Sequence, residues 1–188
     1  MKPKAVIFDC FGVLYVDVSE AYFAKFPDKR EELHDLNKMS DHGFIDRQTY
    51  IEAVSRLTGE PPAAVASAFQ KEHVVNAALI TFIKNELKPH YKIGLLSNIG
   101  RGWIQDFFDE HQLHDLFDAS VLSGEEGITK PNPLIFERSA ERLEVLPTEC
   151  VFVDDRQENC DGATAVGMQA VHYTTLEVLQ AKLAKTLG

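Results

Sequence analysis

The chain has 188 residues, 45% of them hydrophobic and 26% charged, with a formal net charge of -10 and a pI near 5.1. A chain of this size buries roughly 70% of its unfolded surface and needs no disulfide or metal staple to fold. The acidic balance argues against nucleic acid or an anionic membrane as main partner, and nowhere do 18 apolar residues run together as a membrane span requires.

The N-terminal MKPKAVIFDCFGVLYV places two lysines before an apolar stretch in the manner of a secretory leader. Asp9 interrupts that stretch and no small-residue cleavage site follows, so AVIF at 5–8 reads as a strand. Further strand-length apolar runs are KIGLLS at 92–97, ASVLS at 119–123, CVFV at 150–153 and QAVHY at 169–173. Helical patterns separate the later runs, which predicts an α/β fold of repeated βα units on a Rossmann-like parallel sheet.

About 80 residues separate the first two runs, far more than one crossover needs. In this gap DRQTYIEAVSRLTG sets Asp46 as an N-cap, Tyr50, Ile51, Val54 and Leu57 on one face, and Gly59 as a stop. EPPAAVASAFQKEH starts with a proline pair suited to a first turn and spaces Val65 and Phe69 by four. A third helix is predicted over about 76–87, ending before Pro89. The expected organisation is a core of residues 1–15 and 75–188 with an inserted helical cap over 16–74.

In open parallel sheets, ligands bind beyond the carboxyl ends of the strands, where strand order reverses. Asp9 follows AVIF, Ser97 and Asn98 follow IGLL, and Asp154 and Asp155 follow CVFV. Carboxylates gathered there repel one another unless a cation joins them. Mg2+, a hard ion that prefers oxygen ligands and keeps waters for phosphate to displace, is the natural candidate. In GITKPNPLIF, Lys130 precedes a helix whose N-cap is Asn132 and whose first residue is Pro133, where a lysine adds charge to an end that already favours anions.

The ordered set FDCFGVLY, LLSN, TKPNP and VFVDDRQEN resembles the four motifs of the haloacid dehalogenase superfamily, in particular its sugar-phosphate phosphatases, with a helical cap between the first and second. The resemblance implies that Asp9 is a nucleophile forming an aspartyl phosphate. It implies Mg2+ held by Asp9, the backbone carbonyl of Phe11 and Asp155, with Asp154 assisting. Ser97 and Asn98 would bind the phosphoryl group, and Lys130 would neutralise charge between nucleophile and phosphate. The expected substrate is a small phosphorylated metabolite, and the odd, unpaired cysteines Cys10, Cys150 and Cys160 point to a reducing, cytoplasmic compartment.

Most phosphatases of this superfamily carry a second aspartate two residues after the nucleophile, as acid and base; here that residue is Phe11. The sugar-phosphate branch resembled here also lacks it, so water, substrate, or His42 or Asp41 in the SDHGF segment is left to move the proton. An aromatic there also suits the superfamily's metal-free 2-haloacid dehalogenases, whose halide leaves without a proton. Those dehalogenases lack an adjacent acid pair like Asp154 and Asp155, which favours the phosphatase. A catalytically silent phospho-ligand binder is the remaining alternative.

Three other patterns carry little. Cys150 to Arg156 has cysteine-phosphatase spacing, but its intervening residues form a strand ending in two acids rather than a cradle of N–H groups. HQLH at 111–114 lacks the glutamate of a zinc protease motif, and IGRGW at 99–103 lacks the third glycine of a dinucleotide fingerprint. Gly100 is expected to ease the turn after Ser97 and Asn98.

Overall fold

The computed structural model describes residues 2–71, 74–111 and 113–188. Five strands coincide with the predicted apolar runs: β1 (Ala5–Phe8), β2 (Lys92–Ser97), β3 (Ala119–Leu122), β4 (Cys150–Asp154) and β5 (Gln169–His172). They form one sheet of order β3-β2-β1-β4-β5, with every pairing parallel. Phe8 lies opposite Leu95 on β2 and Val153 on β4, so these three strands end side by side. The chain builds outward from β1 to β3, then returns to the other side of β1 for β4, which opens the crevice of a doubly wound sheet between β1 and β4.

The strands are apolar on both faces because helices cover both. Val6, Phe8, Ile93, Leu95, Val151 and Val153 join one buried cluster. That cluster also takes in residues of α5 (Ala77–Phe82), α6 (Ile104–His111) and α10 (Leu176–Leu187). Their alternates Ala5, Ile7, Leu96 and Phe152 face α8 (Pro133–Arg142) and α9 (Gln157–Ala165). Phe152 meets Phe136 of α8 edge to face at 5.2 Å, an arrangement worth about 0.5–1.5 kcal/mol beyond the area it buries. Ser123, predicted to end the third strand, instead opens the short α7 (Ser123–Glu126).

Between β1 and α5 the chain forms α1 (Ser19–Phe23), α2 (Arg30–Asp41), α3 (Arg47–Thr58) and α4 (Pro62–Lys71). Asp46 caps α3 by accepting the Thr49 N–H at 2.8 Å, and Gly59 ends it at φ 76°. Tyr50, Ile51, Val54, Val65 and Phe69 are buried, as their spacing predicts. The polar α2, which the strand and cap signals do not single out, buries Leu33 and Ser40 and packs Leu36 against the core. The helix expected over 76–87 begins on its cap Asn76, but at Ile83 it passes into a π turn in which the Lys88 N–H reaches the Ile83 carbonyl at 2.9 Å. Among the described residues no helix is long and apolar enough to cross a membrane.

Candidate active site

Asp9 is the first residue past β1, and its N–H donates to the Val153 carbonyl at 2.9 Å, which continues the ladder and holds it against β4. Lys130 enters from the loop before α8, whose N-terminus is closed by Asn132 accepting the Leu134 N–H at 3.1 Å. The Lys130 ammonium lies 2.7 Å from Asp9 Oδ1 and 2.7 Å from Asp154 Oδ2, and also donates to the Leu96 carbonyl at 3.1 Å. One cation therefore joins the ends of β1, β2 and β4, and its side chain is only 1% exposed.

Burial and ion pairing contend at this junction. Burial works against the Lys130 charge, yet Asp9 and Asp154 outweigh it and hold the ammonium above the usual lysine range. Burial likewise opposes the Asp154 charge, but Lys130, the Arg156 N–H at 2.8 Å and the Asn159 amide at 3.0 Å leave that carboxyl below its ordinary value. Asp9 is pushed up to about 8 by burial, against the pull of Lys130 and with repulsion from Asp154. Asp155 is raised as well, by burial and by Asp154.

Oxygens of Asp9, Asp154 and Asp155 lie within 4.8 Å of one another. Among the described residues Asp155 Oδ1 is buried without a hydrogen-bond partner, whereas both Asp154 oxygens are taken by Lys130, Asn159 and the Arg156 N–H. Gly12, at φ 89°, makes room for this: a Cβ there would stand 2.4 Å from the Asp155 carboxyl carbon. Gly12→Ala therefore combines left-handed backbone strain with a collision. It should cost about 1–3 kcal/mol in urea unfolding and displace Asp155.

Ser97 is fully buried and its Oγ, too, has no partner among the described residues. Asn98 faces the cavity over the site, but its side chain is engaged: Oδ1 accepts the Lys130 N–H at 2.8 Å and Nδ2 donates to the Lys130 carbonyl at 3.1 Å. This reciprocal pair sets the height of Lys130 over the sheet.

That cavity, of about 630 Å³, opens over Asp9, Lys130 and Asp155. Phe11 lines it and packs edge to face on Phe107 at 5.5 Å. Tyr50 and Phe69 of α3 and α4 add to the wall with Trp103. The end of α2 docks on the core beneath: Ser123 Oγ donates to the Asp41 carbonyl at 2.6 Å and accepts the Ile99 N–H at 2.9 Å. Gly100 does not act through backbone freedom as expected: it has no positive φ, and its bare Cα instead admits Ser40, whose Oγ would lie 2.1 Å from a Cβ.

Sequence reasoning overlooks Asn159 and Gly12. Asn159 sits five residues after Asp154 within VFVDDRQEN, a separation that brings the first turn of a helix back over a strand end, and that spacing is its available signal. Gly12 announces itself only through its neighbour Asp155, far along the chain. The Cys150 thiol is pushed up to about 12, by burial and by Glu149, unlike an activated nucleophile. Gln112 and the His111 side chain of the HQLH pattern lie outside the described residues.

With this geometry in place, the chain belongs to the haloacid dehalogenase-like hydrolases, whose family model matches residues 3–167. Its relatives place it among the phosphoric monoester hydrolases of that family. A sesquiterpene phosphatase, astK, of Aspergillus oryzae is 28% identical over 182 residues, covering 91% of this chain and 90% of its own. A glyceraldehyde 3-phosphate phosphatase of Methanothermobacter thermautotrophicus is 29% identical, covering 89% and 84%. A haloacid dehalogenase family enzyme of Bacteroides thetaiotaomicron, solved with magnesium and inorganic phosphate, shares the fold with a TM-score of 0.78 at 21% identity, covering 92% and 94%.

Proposed function

We propose that the protein is a Mg2+-dependent phosphatase of a small phosphorylated metabolite, with Asp9 as nucleophile. The observation that carries this reading is the joining of Asp9 and Asp154 by Lys130 beside the unpartnered buried oxygen of Asp155. Two carboxylates pair with one buried lysine and a third, Asp155, stands within 4.8 Å of both, all donors are oxygen, and an acid oxygen buried alone is expensive. These residues fit Mg2+, held by Asp9, Asp155 and the Phe11 carbonyl with Asp154 assisting. When bound, the ion offsets the charge of the acids and of the phosphoryl oxygens.

The chain's own groups then divide the work. Asp9 attacks phosphorus and carries the phosphoryl group as an acyl phosphate. Lys130 draws the Asp9 carboxyl toward its ionised form and meets the transferring oxygens, and Ser97 Oγ, without a partner among the described residues, donates to one of them. Asn98 keeps Lys130 in place. Residues 16–74 act as the cap that closes the cavity, and their aromatic wall suits a substrate with an apolar or ring face, a sugar phosphate included. Three buried free thiols support a reducing, cytoplasmic setting.

The metal-free dehalogenase reading leaves Asp155 Oδ1 unexplained. The test is release of nitrophenol from p-nitrophenyl phosphate with Mg2+ and with EDTA: turnover only with Mg2+ supports the phosphatase, and none in either case sends the reading to a 2-chloroacid assay. Mg2+ at a hundredfold above its Kd should also stabilise the fold by about 2.7 kcal/mol. That gain should vanish in Asp155→Asn, measured by thermal melting.

A further inference from the structure

Phe11 leaves the residue two past the nucleophile unable to move a proton, and it packs on Phe107 instead. The cavity offers a replacement on the cap. Asp41, the last residue of α2, lines the same space as Asp9 and Lys130. Its carbonyl is held by Ser123 Oγ at 2.6 Å, so the cap residue is tied to the core loop that follows β2 and Ser97. Its carboxyl is oriented by a relay from α3: the Tyr50 hydroxyl donates to Asn37 Oδ1 at 3.4 Å, and Asn37 Nδ2 donates to Asp41 Oδ2 at 3.2 Å. With Oδ2 accepting, a proton on this carboxyl resides on Oδ1. His42, its neighbour, lines the same cavity, but its Nε2 lies 3.3 Å from Thr129 Oγ1 and its ring is stacked on Phe44.

We infer that the Asp41 carboxyl is the general acid and base of the reaction, brought by the cap to the leaving-group side of Asp9. The inference rests on the phosphatase reading above. As Asp9 Oδ forms its bond to phosphorus and the bond from phosphorus to the leaving oxygen breaks, Asp41 gives its proton to that oxygen and an alcohol departs. In the second half, the Asp41 carboxylate takes a proton from water as the water oxygen attacks phosphorus. The bond to Asp9 breaks, inorganic phosphate leaves, and both carboxyls return to their starting states.

The charges around Asp41 suit this role. Burial and the Asp17 carboxylate push it up to about 7, while Lys130 and Arg156 pull it down. Tyr50, on α3, stays neutral because burial and Asp41 raise it far above the ordinary tyrosine value. A group that titrates near neutrality serves equally well as acid and base.

The test compares kcat/KM for p-nitrophenyl phosphate, whose leaving group needs no proton, with that for a simple alkyl phosphate, whose leaving group does. In the wild type the alkyl rate should fall as pH rises through about 7, where the donor loses its proton, and the nitrophenyl rate should not share that limb. Asp41→Asn should cut the alkyl rate by ~10²–10⁴-fold, more than the nitrophenyl rate, and abolish the limb. Phe11→Asp added to Asp41→Asn should restore part of the loss. If the two substrates lose equally, if neither loses, or if the limb survives in Asp41→Asn, the inference is overturned. The wild-type profiles alone decide it should the variant fail to fold: a steep dependence on leaving-group pKa at acid pH also overturns it. Absence of nitrophenol release from the wild type is a separate outcome, one that removes the phosphatase reading and this inference with it.

Discussion

Asp9→Asn is expected to lower kcat/KM for p-nitrophenyl phosphate by ~10⁴–10⁶-fold, the scale on which removal of a covalent nucleophile is felt. The substitution is nearly isosteric. Its carboxamide oxygen can still accept the Cys10 N–H, now bonded at 2.7 Å, and can still meet Lys130. What it lacks is the carboxylate's negative charge, without which the oxygen is too weak a nucleophile to form an acyl phosphate. The β1–β4 ladder bond through the Asp9 N–H is untouched, so circular dichroism and the melting transition should remain those of a folded protein. Retention of more than about a tenth of the wild-type rate would place the nucleophile elsewhere.

The largest loss of stability should come from Lys130→Met. The side chain has similar length, but Asp9 and Asp154 lose the cation that lies 2.7 Å from each. Breaking a buried pair by removing one partner costs about 3–5 kcal/mol, because the remaining charge stays out of water. The sign of its pH dependence follows from Asp154. With Lys130 present, the folded carboxyl is held below its ordinary value, so it contributes stability above the unfolded pKa and loses it as pH falls through the folded one. Without Lys130 that contribution is gone, and the deficit should be small in acid and grow as pH rises toward neutrality. Urea unfolding in EDTA at two pH values measures this. A deficit independent of pH would assign the loss to packing, including the contact of the Lys130 ammonium with the Phe152 ring at 5.5 Å. Activity should fall in the same variant, since Asp9 then loses the charge that draws its carboxyl toward ionisation.

Both residues are legible in the amino-acid sequence alone. Asp9 ends an apolar run and Lys130 precedes an Asn-Pro helix start, and both signals are local. The fold is legible for the same reason. Strand length, the Asp46 cap and the Gly59 stop of α3, and the Asn132 cap of α8 depend on a few consecutive residues whose backbone groups must be satisfied nearby. Where local signals are weak less is legible: α2 sets only Leu33, Leu36 and Met39 among polar and charged residues, and the π turn at Ile83 has no periodicity of its own.

Five apolar strands, the helical character of the long insertion and the acids and lysine beyond the strand ends are written in runs of consecutive residues, because periodicity and capping act over one or two turns. Which charges meet depends on how the strands and helices assemble. Lys130 serves Asp9 and Asp154 at once because β1 lies between β2 and β4, an order set by burying both faces of the sheet. Asp41 enters the cavity because Ser123, 82 positions further along the chain, holds its carbonyl, and Gly12 must be bare because Asp155 stands against it. Such contacts are fixed by the packing of distant elements, whose free energy is shared over the whole core and leaves no mark on the neighbouring residues of either partner.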